Sequence, residues 1–238
     1  MHIEAKNISK VIKKKNILTN VGISLKKDKV YGLLGPNGAG KTSLFSILSG
    51  LNQPSQGEIY FDSKKVNELN FEARSKLGII YLPQEPSVFR ELTVKQNILA
   101  ALEARNYKKI DNVNLLEKIS LEFNLKKILS QKCNTLSGGQ RRRVEIARAI
   151  ALKPKLILLD EPFAGIDPLV INEIKDLIRN LKSKGIGILL SDHNVKATLD
   201  ICDHIYVINS GEMIASGTPE QIIKNELVKE VYLGDVYS

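Results

Sequence analysis

Four apolar runs, 29–35, 156–160, 186–191 and 205–209, are too continuous for half-exposed strands and too short for helices, so they predict buried strands. Between them the period lengthens. Val170, Ile171, Ile174, Leu177, Ile178 and Leu181 fall on one helical face, with Asp167 as N-cap, Pro168 at the first position and Gly185 past the end. Residues 42–51 predict another helix, entered directly from the 29–35 strand. Strands alternating with helices predict an α/β fold, a mainly parallel sheet with helices on both faces.

The stretch 88–152 breaks this alternation. Helix-like runs at 93–104, 112–123 and 139–152 have no strand between them, so this stretch reads as an inserted helical subdomain within a single domain. The core is then 1–87 with 153–238, and Glu58-Ile59-Tyr60-Phe61-Asp62 reads as one strand of a small antiparallel β subdomain. No internal repeat occurs, so the chain carries one copy of each motif described below.

At 238 residues, 43% apolar and 26% charged, the chain can bury a full core. No apolar run nears the 18 or so residues of a membrane span. The start, Met1-His2-Ile3-Glu4-Ala5, carries an acid where a signal peptide carries bases, so the chain is expected to stay in the cytoplasm. Cys133 and Cys202 lie far apart with no ligand spacing, which predicts two idle thiols in a reducing compartment. The net charge of +9 comes mostly from lysine, 27 of the 35 bases, in short groups such as Lys13-Lys14-Lys15, Lys108-Lys109 and the triplet Arg141-Arg142-Arg143. None is long enough for a nucleic-acid arm, and they read as a solvated face, with attraction to an anionic membrane surface as the alternative.

The chemistry is carried by segments in fixed order. Gly35-Pro36-Asn37-Gly38-Ala39-Gly40-Lys41-Thr42, followed by Ser43, fits a loop whose backbone N–H groups wrap nucleotide phosphates; Lys41 reaches the outer phosphates and the Thr42 hydroxyl holds Mg²⁺. Asp160 closes an apolar strand, suited to a Mg²⁺ carboxylate, and Glu161 follows, placed to orient or deprotonate water. Ser137-Gly138-Gly139-Gln140 opens a helix whose free N–H groups and dipole suit phosphate. Taken singly, an Asp-Glu pair after a strand is a turn, and His193 or Gln84 is an ordinary surface residue. Their order after a glycine loop inverts that.

Leu136-Ser137-Gly138-Gly139-Gln140 after the glycine loop and before Leu158-Leu159-Asp160-Glu161, together with Gln84 and Asp192-His193-Asn194-Val195, resembles the ATP-binding cassettes of ABC transporters over nearly the whole chain. The Arg141–Arg143 triplet and the Asp-His-Asn-Val run make it most similar to the lipopolysaccharide export branch. The ending Val231-Tyr232-Leu233-Gly234 is shared with branched-chain amino acid importers and decides nothing.

The resemblance implies a P-loop NTPase (RecA-like) core, ATP and Mg²⁺ as ligands, and a head-to-tail homodimer with two ATP sandwiched between glycine loop and pentapeptide. It makes Glu161, His193, Gln84 and Lys41 catalytic, His193 through the γ-phosphate, and adds Gln84 to Thr42 and Asp160 at the metal. It places Asp167 and Ser137 to Gln140 with the nucleotide, and Phe89 and Arg90 in a groove that docks a membrane subunit. Partners would be two integral membrane permease subunits of the LptF/LptG type with a bitopic LptC-like subunit, on the cytoplasmic face of the inner membrane. Neither nucleic acid nor the transported lipid would touch the chain. The alternatives are an amino acid importer and a soluble cassette protein of ribosomes or DNA; the tandem cassettes or coiled-coil insertion usual in the latter do not occur. One departure stands out: Ile12 occupies the place where an aromatic usually stacks on adenine. Losing a stack worth about 1–3 kcal/mol implies weak discrimination of ATP from GTP. Asp28, where a turn glycine is common, changes nothing functional.

Overall fold

The chain runs β1 (His2–Ile12), β2 (Lys15–Lys26), β3 (Val30–Leu34), α1 (Lys41–Ser49), β4 (Gln56–Phe61), β5 (Lys64–Lys65), α2 (Phe71–Leu77), β6 (Ile79–Leu82), α3 (Val94–Glu103), α4 (Lys109–Glu122), α5 (Gly138–Ala151), β7 (Leu156–Asp160), α6 (Pro168–Ser183), β8 (Gly187–Ser191), α7 (Val195–Ile201), β9 (His204–Asn209), β10 (Glu212–Gly217), α8 (Pro219–Ile223) and α9 (Glu226–Val228). The computed structural model describes residues 1–105 and 109–234, so Lys108 of one basic pair and the last four residues lie outside it.

The four predicted buried strands are the four central strands of one sheet, ordered β10-β9-β3-β8-β7-β6. Every pairing from β9 to β6 is parallel, and only β10 runs antiparallel. In β3, β7 and β8 every residue is buried, because both faces are covered, which is why they read as unbroken apolar runs. One face, including Leu33, Leu158 and Leu189, packs with α1 and a second, antiparallel sheet of order β2-β1-β4-β5. The other face, including Ile157, Leu159, Ile188 and Leu190, packs on helices, with Val144, Ile146, Ile174 and Ile178 in the same core as Ile98 and Phe123. Residues 88–152 supply α3, α4 and α5.

The helix ends follow local chemistry. Asp167 caps α6, its Oδ1 accepting from Leu169 N at 2.8 Å, with Pro168 in the first turn. Thr93 and Ser137 form capping boxes with Gln96 and Gln140 at the starts of α3 and α5. Asp28 lies in the left-handed region at φ 60°, a conformation Asp tolerates better than most residues, so the turn keeps its shape without glycine.

Arg74, on α2, is fully buried and donates to five main-chain carbonyls: Nε to Leu69, Nη1 to Ile47 and Leu48, Nη2 to Val66 and Asn67. Burial pushes its pKa down to about 10. Two of those carbonyls end α1, where the helix dipole is negative, so the guanidinium ties the far end of that helix to the turn before α2.

Candidate functional site

Strand register brings the predicted residues to one edge of the parallel sheet. Leu82 pairs with Leu159, Asp160 with Ser191, and Gly32 with Leu190, so β6, β7, β8 and β3 end together. The segments that leave those ends carry Gln84, Glu161, His193 and the glycine loop. Carboxyl ends of parallel strands are the usual ligand edge of such sheets.

At the glycine loop the residue types are forced by space. A Cβ on Gly35 would lie 2.0 Å from the Ile208 carbonyl oxygen, and Gly40, at φ 107°, would meet Leu18 at 2.6 Å. Gly38, at φ 77°, is different: no heavy atom of the described residues lies within 4 Å of its Cβ position, so that glycine keeps the loop open outward. Gly40 is also the N-cap of α1 and offers no side chain to its free N–H groups, and the first turn holds no acid. Those groups are left for an anion. Lys41 is buried and turns its Nζ onto the loop itself, donating to the carbonyls of Gly35 at 2.7 Å and Pro36 at 3.0 Å. Burial lowers its pKa, against the opposing pull of Glu161 and Asp160. Thr42 is exposed and Ser43 half-buried beside it.

Asp160 is 2% exposed, with Ser191 Oγ donating to Oδ1 at 2.7 Å and Tyr81 OH donating to Oδ2 at 3.2 Å. Among the described residues these carboxylate partners are neutral hydroxyls, so a hard cation is the charge this group lacks, and the donor set suits Mg²⁺. Burial, reinforced by Asp160, pushes the Tyr81 hydroxyl well up and keeps it a donor. Glu161 takes φ 49°, rare for a residue with a side chain, and is pinned by its N–H donating to Ser191 O at 2.7 Å. Such backbone costs about 1–3 kcal/mol and is concentrated at functional positions. Gln84 Nε2 donates to one carboxylate oxygen of Glu161 at 2.7 Å, and His193 Nε2 lies 2.8 Å from the other. Gln84 and His193 therefore both meet Glu161. Asp192, buried, accepts from Phe163 N at 2.7 Å and Asn194 N at 2.8 Å, tying the His193 turn to the segment after Glu161. Burial raises its pKa.

Ser137 to Gln140 open α5, where Gly139 is buried and a Cβ would lie 2.4 Å from the Val170 side chain of α6, so the close approach of α6 requires glycine. Gly138 shares a cavity of about 240 Å³ with Gln84, Glu161 and Gly165. Ile12 is half-exposed at the end of β1. Phe89, 52% exposed, walls an apolar groove of about 550 Å³ with Leu51, Phe71, Ala101 and Leu152; Arg90 is exposed beside it and does not line the groove. The reading of the arginine triplet as solvated is corrected: Arg142 is buried, and Arg141 and Arg143 half-buried, because α5 packs between sheet and helices. Sequence reasoning also missed Glu145, Tyr81, Ser191 and Arg74; only Glu145, three residues after Arg142 on one helix, left a signal, the spacing of an ion pair.

Known proteins agree with this geometry. Residues 18–164 match the ABC transporter family, and 212–238 match the C-terminal model of branched-chain amino acid ATP-binding cassette transporters. The lipopolysaccharide export system ATP-binding protein LptB of Haemophilus influenzae is 45% identical, covering 99% of this chain and 98% of its own length; that of Escherichia coli K12 is 43% identical, covering 98% and 97%. Among solved structures, an ATP-binding cassette of an ABC transporter in its ADP conformation superposes with a TM-score of 0.88 at 30% identity, covering 98% of this chain and 99% of that one. A dimeric post-hydrolysis cassette bound to ADP and Pi gives 0.82 at 26%, covering 91% and 98%. The branched-chain amino acid model matches residues 212–238, and the likeness to the lipopolysaccharide export proteins runs nearly the whole length. The chain belongs to the ABC transporter family as a nucleotide-binding ATP hydrolase, and within it to the LptB group.

Proposed function

We propose that two copies of this chain sandwich two ATP and drive lipopolysaccharide extraction from the inner membrane through a pair of permease subunits. The observation that carries the hydrolytic part is Glu161, a carboxylate on strained backbone held between Gln84 and His193. Released from one of those contacts, it orients the attacking water and takes its proton. Lys41 leaves the Gly35 and Pro36 carbonyls for the outer phosphates, and the free N–H groups at the start of α1 bind the rest of the phosphate chain. Thr42, Asp160 and Gln84 would hold Mg²⁺, which supplies charge neutralisation on the outer phosphates. Ser137, Gly138, Gly139 and Gln140 of one copy, with Asp167 beside them, close on the nucleotide of the other, and His193 meets its γ-phosphate. Supporting the sandwich, a related cassette was solved as a dimer with ADP and Pi.

The transported lipid is inferred from full-length likeness to lipopolysaccharide export proteins, and the division of 88–152 from the rest belongs to the same reading. Phe89 and Arg90 mark where a coupling helix of a permease subunit docks, in the groove that Phe89 walls. On this reading the chain works on the cytoplasmic face of the inner membrane with LptF/LptG-like and LptC-like partners. No helix among the described residues is long and apolar enough to cross a membrane. With only aliphatic Ile12 for the base, ATP and GTP are taken with similar affinity.

The sandwich is tested with two variant chains that each carry one added cysteine. Asn37→Cys mixed with Ser137→Cys gives an oxidised heterodimer when ATP is present, because loop and pentapeptide then face each other across chains; native Cys133 and Cys202 are buried and stay out of the reaction. Absence of a mixed dimer under ATP contradicts the head-to-tail arrangement.

A further inference from the structure

Arg142 and Glu145 have no part in the chemistry just proposed, yet they are 6% and 3% exposed, adjacent on α5. Arg142 Nη1 donates to Glu145 Oε2 at 2.9 Å and to the Pro83 carbonyl at 3.4 Å, while Nη2 donates to the Asp160 carbonyl at 3.4 Å. The other carboxylate oxygen, Glu145 Oε1, accepts from Ser87 N at 2.7 Å. One ion pair thus grips the main chain on both sides of Gln84 and at the residue before Glu161. Glu145 also lines both the apolar groove and the small cavity that holds Gln84 and Glu161. One turn further along the helix, Arg148 Nη1 donates to Ser87 O at 2.5 Å, and its guanidinium lies 4.8 Å over the Phe89 ring.

We propose that the Arg142–Glu145 pair is a positioning element: it sets Gln84 against Glu161 and passes movement of the groove wall to that contact. The Gln84–Glu161 hydrogen bond joins two separate segments, so its geometry depends on what fixes them relative to each other. Pro83 and Ser87 on one segment and Asp160 on the other are all held by this pair. Two buried charges, shielded from water, cannot exchange partners cheaply, so the pair and the three main-chain groups it holds keep one arrangement or shift together. A ligand that presses on Phe89 moves Ser87, to which Glu145 and Arg148 are both bonded. Arg142 then carries the displacement to Pro83 and Asp160. The inference rests on the reading of Glu161 as the residue that handles the attacking water.

The test separates positioning from stability. Replacing a buried ion pair with apolar residues of similar volume commonly leaves a fold as stable as before, whereas removing one partner leaves a stranded charge. In the purified full chain, Arg142→Met and Glu145→Met alone lower both melting temperature and kcat. The double variant Arg142→Met with Glu145→Met recovers the melting temperature, but its kcat stays at least about tenfold down with KM for ATP within about twofold, because neither the fork that holds Pro83 and Asp160 nor the carboxylate that holds Ser87 remains. Arg142→Lys, which keeps the charge but not the fork, shows the same kcat deficit. Recovery of kcat along with melting temperature in the double variant would make the pair structural only and overturn the proposal. Glu161→Gln run in parallel distinguishes the levels: if that variant turns over ATP, the role of Glu161 fails first; if it is inactive while the double variant is not, only the positioning role fails.

Discussion

Glu161→Gln binds ATP and does not turn it over. The substituted side chain has the same shape, can keep one hydrogen bond to Gln84 and one to His193, and sits on the same left-handed backbone, so the site stays assembled. What it loses is the proton acceptor, a contribution of about 10²–10⁴-fold in rate for general-base chemistry. Hydrolysis is also what reopens the proposed sandwich, so the variant accumulates as a closed dimer with ATP. Phosphate release measures the first effect and size-exclusion chromatography with and without ATP the second. Continued turnover would remove Glu161 from its role, and a monomer under saturating ATP would remove the sandwich.

Lys41→Ala loses the nucleotide itself. A charge-assisted hydrogen bond contributes about 1.5–3 kcal/mol, and the ammonium has more than one outer-phosphate oxygen to reach, so affinity falls by at least about tenfold and turnover with it. The pH dependence carries the same signature. Burial holds the Lys41 pKa below the ordinary lysine value of 10.5 in the empty site, despite the pull of Glu161 and Asp160. A base whose folded pKa is depressed gives up its proton earlier than in the unfolded chain. The nucleotide-free protein therefore gains stability from this group as pH climbs from the lowered pKa towards 10.5, while ATP affinity, which needs the charged form, falls over the same window. Bound phosphate reverses the shift by favouring the ammonium. Fluorescent-nucleotide titrations between neutral and alkaline pH show the decline in the native chain and a flatter profile in Lys41→Ala; equal profiles would contradict the assignment.

The central sheet was legible because β3, β7 and β8 are covered on both faces, and full burial writes itself into sequence as unbroken Val, Ile and Leu. Helix α6 was legible through its cap and proline as much as its periodicity. The β1–β2 hairpin was not. Its alternation is broken by bulges where β1 pairs with β2, and its turn, Lys13-Lys14, takes φ 47° and 65° without glycine. Short α2 was missed although Asn70 and Gly78 cap it, since seven residues hold too little periodicity. At the site, Gly35 to Thr42, Asp160 and Glu161 were legible because phosphate chemistry restricts both residue type and spacing. The support around them was hidden: Arg74 and Arg142 look like any surface base until packing shows that their donors end on main-chain carbonyls. A tether to the main chain constrains only the arginine, and leaves no matching residue elsewhere to betray it.

The measurement that bears most directly on the central claim is to purify the tagged chain from native membranes in mild detergent and identify what accompanies it. Two multi-span proteins of the lipopolysaccharide export type, bound to two copies of this chain, are the predicted result. Importer permeases would reassign the transported substrate, and ribosomes or nucleic acid in place of membrane proteins would contradict the transport function altogether.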